Sequence, residues 1–223
     1  MKNILARGGI EFIAVILGIS GSLWIDDWSS YKTDREKELE TFSRLSIALN
    51  EDNLLLEEAL KANARRVNVL NDLIYDFENI SMDTLSKYIE EIQYYTRMDP
   101  HISDFETLKS TGQLYTILDF DILQGIIDLY DNKYSIIKHW MNEDKRAIFL
   151  QDEYFLENYS MIPTKHWSTL KNLEKDYQKL KNDKTFFNYL VLVFNVKTHM
   201  NRDWTALKSD VVKLKEKIDL KIN

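Results

Sequence analysis

Residues 39–77 read LETFSRLSIALNEDNLLLEEALKANARRVNVLNDLIYDF. Apolar residues recur at Leu39, Phe42, Leu45, Leu49, Leu56, Leu60, Val67, Leu70, Ile74 and Phe77, always three, four or seven positions apart. At 3.6 residues per turn those gaps keep them on one face, the signature of a helix with a single buried seam. Asn63 stands where an apolar residue would continue the seam and breaks it once. No Pro or Gly occurs between Ser22 and Met98, so nothing local stops the helix upstream. The seam therefore predicts a long stalk helix ending near Phe77 and entered from the N-terminal segment.

That segment, residues 8–28, reads GGIEFIAVILGISGSLWIDDW. Between Ile10 and Ile25 its only charge is Glu11. As a helix it would extend roughly 30 Å, about the hydrocarbon thickness of a bilayer. Trp24, Trp28 and Tyr31 cluster at its far end, where amphipathic rings favour the headgroup zone. The expectation is an uncleaved membrane anchor over residues 1–31, followed by a helical bundle domain over 32–223. A cleaved signal peptide fits Lys2, Arg7 and the small residues near Ser20–Ser22 less well, because Glu11 interrupts its apolar stretch. A buried core helix is the third reading of so short a run.

Glu11, Ala14, Gly18 and Ser22 fall on one helical stripe with Gly21 at its edge, and Phe12, Ile16, Ile19 and Leu23 lie roughly opposite. Small residues let helix backbones approach closely within lipid, so Ala14, Gly18, Gly21 and Ser22 are the expected packing face for self-association. Two readings of Glu11 stand. It pairs with Arg7 near a helix N-terminus at the interface, or it is an intramembrane carboxylate with a function. Positive charges nearly balance across the segment. Asp26 and Asp27 abut the apolar run and lean the orientation towards a periplasmic bundle domain.

Further along, Ser81 precedes a helix carrying Leu85, Tyr88, Ile89 and Ile92, expected to end at Asp99-Pro100. Ser103 to Glu106 has the spacing of a capping box that opens a short helix. Gly112 is placed to stop that helix in the left-handed conformation. Asp119 or Asp121 opens the next, with a seam of Leu123, Ile127, Tyr130, Tyr134, Ile137, Met141 and Ile148 running to about Tyr159. Pro163 separates it from a segment at 168–182. A last helix spans 184–221, strongly apolar from Phe186 to Phe194 and exposed over its Lys- and Glu-rich end. The fold class is all-α: an elongated antiparallel bundle of roughly four or five helices, two of them near 40 residues long.

Two motifs, Glu11 with Gly18-Ile19, Asp26-Asp27 and Trp28, and Phe105-Glu-Thr-Leu-Lys-Ser-Thr-Gly-Gln-Leu114, resemble an uncharacterised bacterial membrane-protein family, catalogued as domain of unknown function 6090. In the second motif Thr111 replaces the family's second Ser. The resemblance covers the N-terminal third and the middle of the chain. It implies a membrane-anchored helical protein and brings no activity with it.

The composition narrows the chemistry. Cysteine is absent, so disulfides, thiolate nucleophiles and Cys-ligated metals are excluded. A net charge of −7 argues against nucleic acid as a partner. None of His101, His139, His166 and His199 forms a helical metal pair. His139 and Glu143, at i and i+4, read as a surface pair. No Gly-rich phosphate loop or Gly-x-Ser-x-Gly elbow is present. Tyr94, Tyr95, Tyr130, Tyr134, Tyr154 and Tyr159 read as packing residues. Ser110, Thr111 and Gly112 read as a helix stop rather than a ligand loop. These features point to a non-enzymatic, single-pass scaffold, sensor or interaction protein of the bacterial inner membrane, without metal or cofactor. Its partners are membrane lipid, further copies of itself and a membrane protein. The rival is an oligomeric ion or proton pathway with Glu11 on the inner face. An enzyme with catalytic groups dispersed along the chain is a third, weaker reading.

Overall fold

A computed structural model describes the backbone from Lys2 to Ile222 and the side chains from Val15 to Ile222. The seam at 39–77 belongs to α1, an unbroken helix of 74 residues, Lys2–Tyr75, about 110 Å long at 1.5 Å per residue. Phe42, Leu45, Leu49, Leu56, Leu70 and Leu73 are buried along it. Their main cover is α7, Lys184–Ile222. The two run antiparallel, as cross-links at successive levels show: Ser46 donates to Asp219, Lys208 pairs with Glu57 and Asn63 donates to the Lys197 carbonyl.

Around this pair lie α2 (Met82–Glu91), α3 (Ile102–Ser110), α4 (Phe120–Ile127), α5 (Ser135–Asn158) and α6 (Leu173–Lys181). The apolar core forms two clusters. One, nearer the N-terminal part of α1, joins Phe42–Ala59 to α3, α4 and the end of α7 around Trp204. The other joins Val69–Phe77 to α2, the second half of α5 and the start of α7 around Phe155 and Phe186.

Local signals place several boundaries as expected. The Ser81 side chain accepts from the Thr84 amide and caps α2. Asp119 caps α4 through the Ile122 amide. Gly112, at φ 76°, follows α3 in the left-handed conformation. Gly125 serves a different purpose: a Cβ there would stand 3.1 Å from Leu214 Cδ1, so glycine lets α4 lie close on α7.

Five expectations are corrected. A two-stranded antiparallel hairpin, β1 (Met161–Pro163) with β2 (Ser168–Leu170), interrupts a chain expected to be all-α; its strands of three residues are too short to alternate visibly. Helix α2 ends at Glu91, well before Asp99-Pro100, and an irregular segment follows. The Ser103 capping box does not form: α3 begins at Ile102, and its N-terminal backbone is held instead by Asp52 of α1, which accepts from the His101 amide at 2.8 Å. Of the expected seam, Leu123 and Ile127 pack only partly buried against the core while Ile122, Ile126 and Leu129 are buried there; a π-turn at Asp128–Lys133 adds arc at this point, and Tyr130, Tyr134 and Ile137 are buried as expected. The end of α7 is not exposed all round: Val211, Leu214 and Ile218 are buried while its Lys and Glu residues occupy the other face.

Among the described residues no helix is long and apolar enough to cross a membrane. Glu11 and Ala14 lie outside the described side chains.

Candidate functional site

Among the described side chains of α1, Glu38 is the first that is buried. Its carboxylate pairs with Arg35 and accepts from the Leu118 amide at 2.8 Å, tying the helix to the loop before α4. From Val15 to Lys37 no side chain is buried. Along this arm Leu17 is 67% exposed, Trp24 72% and Trp28 61%, and Ile16, Ile19, Leu23, Ile25 and Tyr31 are exposed as well. A Cβ built on Gly18 or Gly21 meets nothing within 4 Å. Ser22 turns its hydroxyl back onto the Ile19 carbonyl at 2.8 Å, a local bond that lowers its polarity towards any surface laid against it. Gly18, Gly21, Ser22, Trp24, Trp28 and Tyr31 thus share one unpartnered helical arm.

A second arrangement lies between the two apolar clusters. Lys197 of α7 and Asp144 of α5 are both fully buried, with Nζ 2.8 and 2.9 Å from the two carboxylate oxygens. The Tyr94 carbonyl takes the third ammonium proton at 3.3 Å. Asp144 also accepts from the Thr96 amide at 2.6 Å. Asn63, the residue that breaks the α1 seam, donates to the Lys197 carbonyl and to Asn201 Oδ1, both at 2.8 Å, and accepts from the Thr96 hydroxyl. Burial pulls the Lys197 ammonium below its ordinary value, and Asp144 opposes that shift. Every donor of the ammonium is used and both charged groups are closed to solvent. This layer ties α1, α5, α7 and the segment after α2 into one register and presents no reactive atom. The seam break at Asn63 was its only visible signal in the sequence.

A third group sits on the α1 face beside α3. Asp52 is fully buried and accepts from the His101 amide and lies 2.8 Å from His101 Nδ1, while Tyr134 donates to its other oxygen at 2.5 Å. The His101 Nε2 atom lies 3.2 Å from Glu51. Burial, then the Asp52 charge, pushes the Tyr134 hydroxyl far above its ordinary value. With both imidazole nitrogens engaged by carboxylates, the arrangement orients α3 and leaves no base free to activate a nucleophile.

The remaining candidates behave as ordinary structure. The Ser110 and Thr111 hydroxyls both bond the Thr107 carbonyl, closing α3 rather than facing a ligand. His139 packs edge-on against Trp140, while Glu143 pairs with Arg146. Tyr130 stacks on Phe105, and Tyr154 and Tyr159 share Asp183 at the start of α7. Among the described residues no cluster of three His, Asp or Glu is arranged to hold a metal ion. No protein-family model, curated protein or solved structure matches the chain.

Proposed function

We propose that this protein is a membrane-anchored, non-enzymatic helical scaffold or sensor. Residues 8–28 enter the lipid, and α1 carries the bundle on a rigid stalk. The observation that carries the reading is the continuity of α1: one helix runs from an arm of exposed apolar residues into the bundle seam without a break. Exposed apolar side chains in such a run cost free energy in water and favour an apolar surround. Trp24, Trp28 and Tyr31 at its far end suit the headgroup zone.

The open surface at Gly18 and Gly21 supports close helix approach, so the arm also self-associates along Ala14, Gly18, Gly21 and Ser22. The resemblance to the domain of unknown function 6090 family favours the same arrangement, with an inner-membrane location. Asp26 and Asp27 favour a periplasmic bundle. The proposed partners are lipid, further copies of this chain and a membrane protein.

Alkaline carbonate extraction tests the anchor. The full chain is expected to stay with the membrane pellet, and a chain beginning at Lys32 to appear in the supernatant. Release of the full chain overturns the reading.

A further inference from the structure

Beside the hairpin, two adjoining hollows of about 300 and about 340 Å³ share Gln93, Asp152 and Trp167. Together they make one cleft between α5, the segment after α2 and the β1–β2 loop. Its walls are aromatic: Tyr94 and Tyr95 on one side, Phe149 of α5 and Trp167 of the loop on the others. Phe149 and Trp167 remain 50% and 54% exposed although each touches another ring.

Asp152 borders both hollows. Its Oδ1 is buried and has no hydrogen-bond partner among the described residues. The polar neighbours do not answer it. Gln93 is committed to the Ile89 carbonyl, the Ser168 carbonyl and the Ser168 hydroxyl. Arg97, at the rim, is paired with Asp99 at 2.8 Å. A buried carboxylate oxygen without a donor is costly, and desolvation pushes this carboxyl up, to about 6.

We propose that the cleft is a binding site for a small organic ammonium ion, held by the Asp152 carboxylate and the faces of the surrounding aromatic rings. A cation answers both features at once. It supplies the charge and donor that Asp152 lacks, and ring faces attract cations, most strongly when water is excluded. A neutral alcohol supplies a hydrogen bond and leaves the charge unmatched. The protein's own Lys145 shows the affinity of these rings for ammonium: its Nζ lies 5.3 Å from the Phe149 centroid and 5.9 Å from that of Tyr95, in a neighbouring hollow that Asp152 does not line. All the residues involved belong to the bundle beyond Glu38, so the site stands whether or not the arm enters a membrane.

Isothermal titration of the full chain in maltoside detergent tests the site, with choline and ethylammonium as probes and 3,3-dimethylbutan-1-ol as the neutral isostere of choline. Saturable binding of at least one ammonium is expected, with the alcohol about tenfold weaker or more. Asp152→Asn keeps the shape and removes the charge, and should weaken the ammonium by a similar factor. Trp167→Leu, on an exposed loop where folding is least at risk, should weaken choline more than ethylammonium. The proposal is overturned if neither ammonium saturates up to roughly 10 mM, if the alcohol binds as well as choline, or if Asp152→Asn binds like the parent.

Discussion

The two ends of α1 are written in the same alphabet and live in opposite surroundings. From Val15 to Tyr31 the helix carries Ile, Leu and Trp at helical spacings with nothing packed on them; from Glu38 to Leu73 it carries Leu and Phe at helical spacings under α7. Periodicity reports which residues share a face, and says nothing of what covers that face. The difference lies in the flanking polar residues. In the bundle half, Glu38, Asp52 and Asn63 punctuate the seam, and each is buried with partners from elsewhere in the chain. Within the apolar run of the arm, from Val15 to Ile25, the only interruptions are small, Ser20, Ser22 and the glycines, and none is tied to another element.

The largest expected effect probes the covered half at the level of Asn63. Lys197→Met leaves Asp144 buried without its counter-ion and should cost about 3–5 kcal/mol of stability. The double variant Lys197→Met, Asp144→Leu removes both charges and should recover most of that loss. Chemical denaturation of the three chains decides it. A single variant as stable as the parent would mean that the layer is not closed to water.

Next comes a direct test of the contrast between the ends. Leu56→Ala, in the covered half, should cost about 2–5 kcal/mol through lost transfer energy and a residual cavity. Leu17→Ala, at a comparable position in the arm, should change bundle stability by no more than about 0.5 kcal/mol. Melting of the full chain in detergent measures both. Equal losses would show that the arm is covered by the bundle after all, and the comparison would fail.

These sites also mark what the sequence makes legible. The α1 and α7 seams, the Ser81 and Asp119 caps and the Gly112 stop are local patterns, and local patterns survive folding. Asn63 was visible as an interruption. Its meaning was not, because Lys197 and Asn201 lie more than a hundred residues away. The Ser103 motif misled for the same reason: Asp52, from another helix, does the holding. The π-turn at Asp128–Lys133 adds arc within a seam, which a fixed 3.6-residue period cannot register. The cleft at Asp152 was invisible, since its walls come from three separate segments and nothing in the local sequence distinguishes this carboxylate from the solvated ones beside it.

The smallest effect sets a partnered carboxylate against an unpartnered one on the same helix. Asp144 has Lys197; Asp152, two turns further along α5, has no donor on Oδ1. Desolvation raises the Asp152 carboxyl from its ordinary value near 3.8 to about 6, so between those values the folded chain holds a proton that the unfolded chain has released. Stability from this group is therefore present at low pH and is lost as pH rises through that window, staying level above about 6. The full shift corresponds to about 3 kcal/mol, and water reaching the open side of the cleft reduces it to about 1 kcal/mol. Asp152→Asn should accordingly stabilise the protein by about 1 kcal/mol at pH 7.5, with the gain disappearing near pH 4. The charged residue lining the cleft with Asp152 is Arg97, and the Lys145 ammonium lies over the Tyr95 and Phe149 rings of one wall; Gln93, Tyr94, Trp167 and Ser168 are the other polar or aromatic groups nearby. If Arg97 leaves Asp99 to pair with Asp152 in solution, the carboxyl falls instead of rising and Asp152→Asn destabilises at pH 7.5. Unfolding free energies of parent and variant, measured side by side at pH 4 and pH 7.5, separate the two outcomes by the sign of their difference.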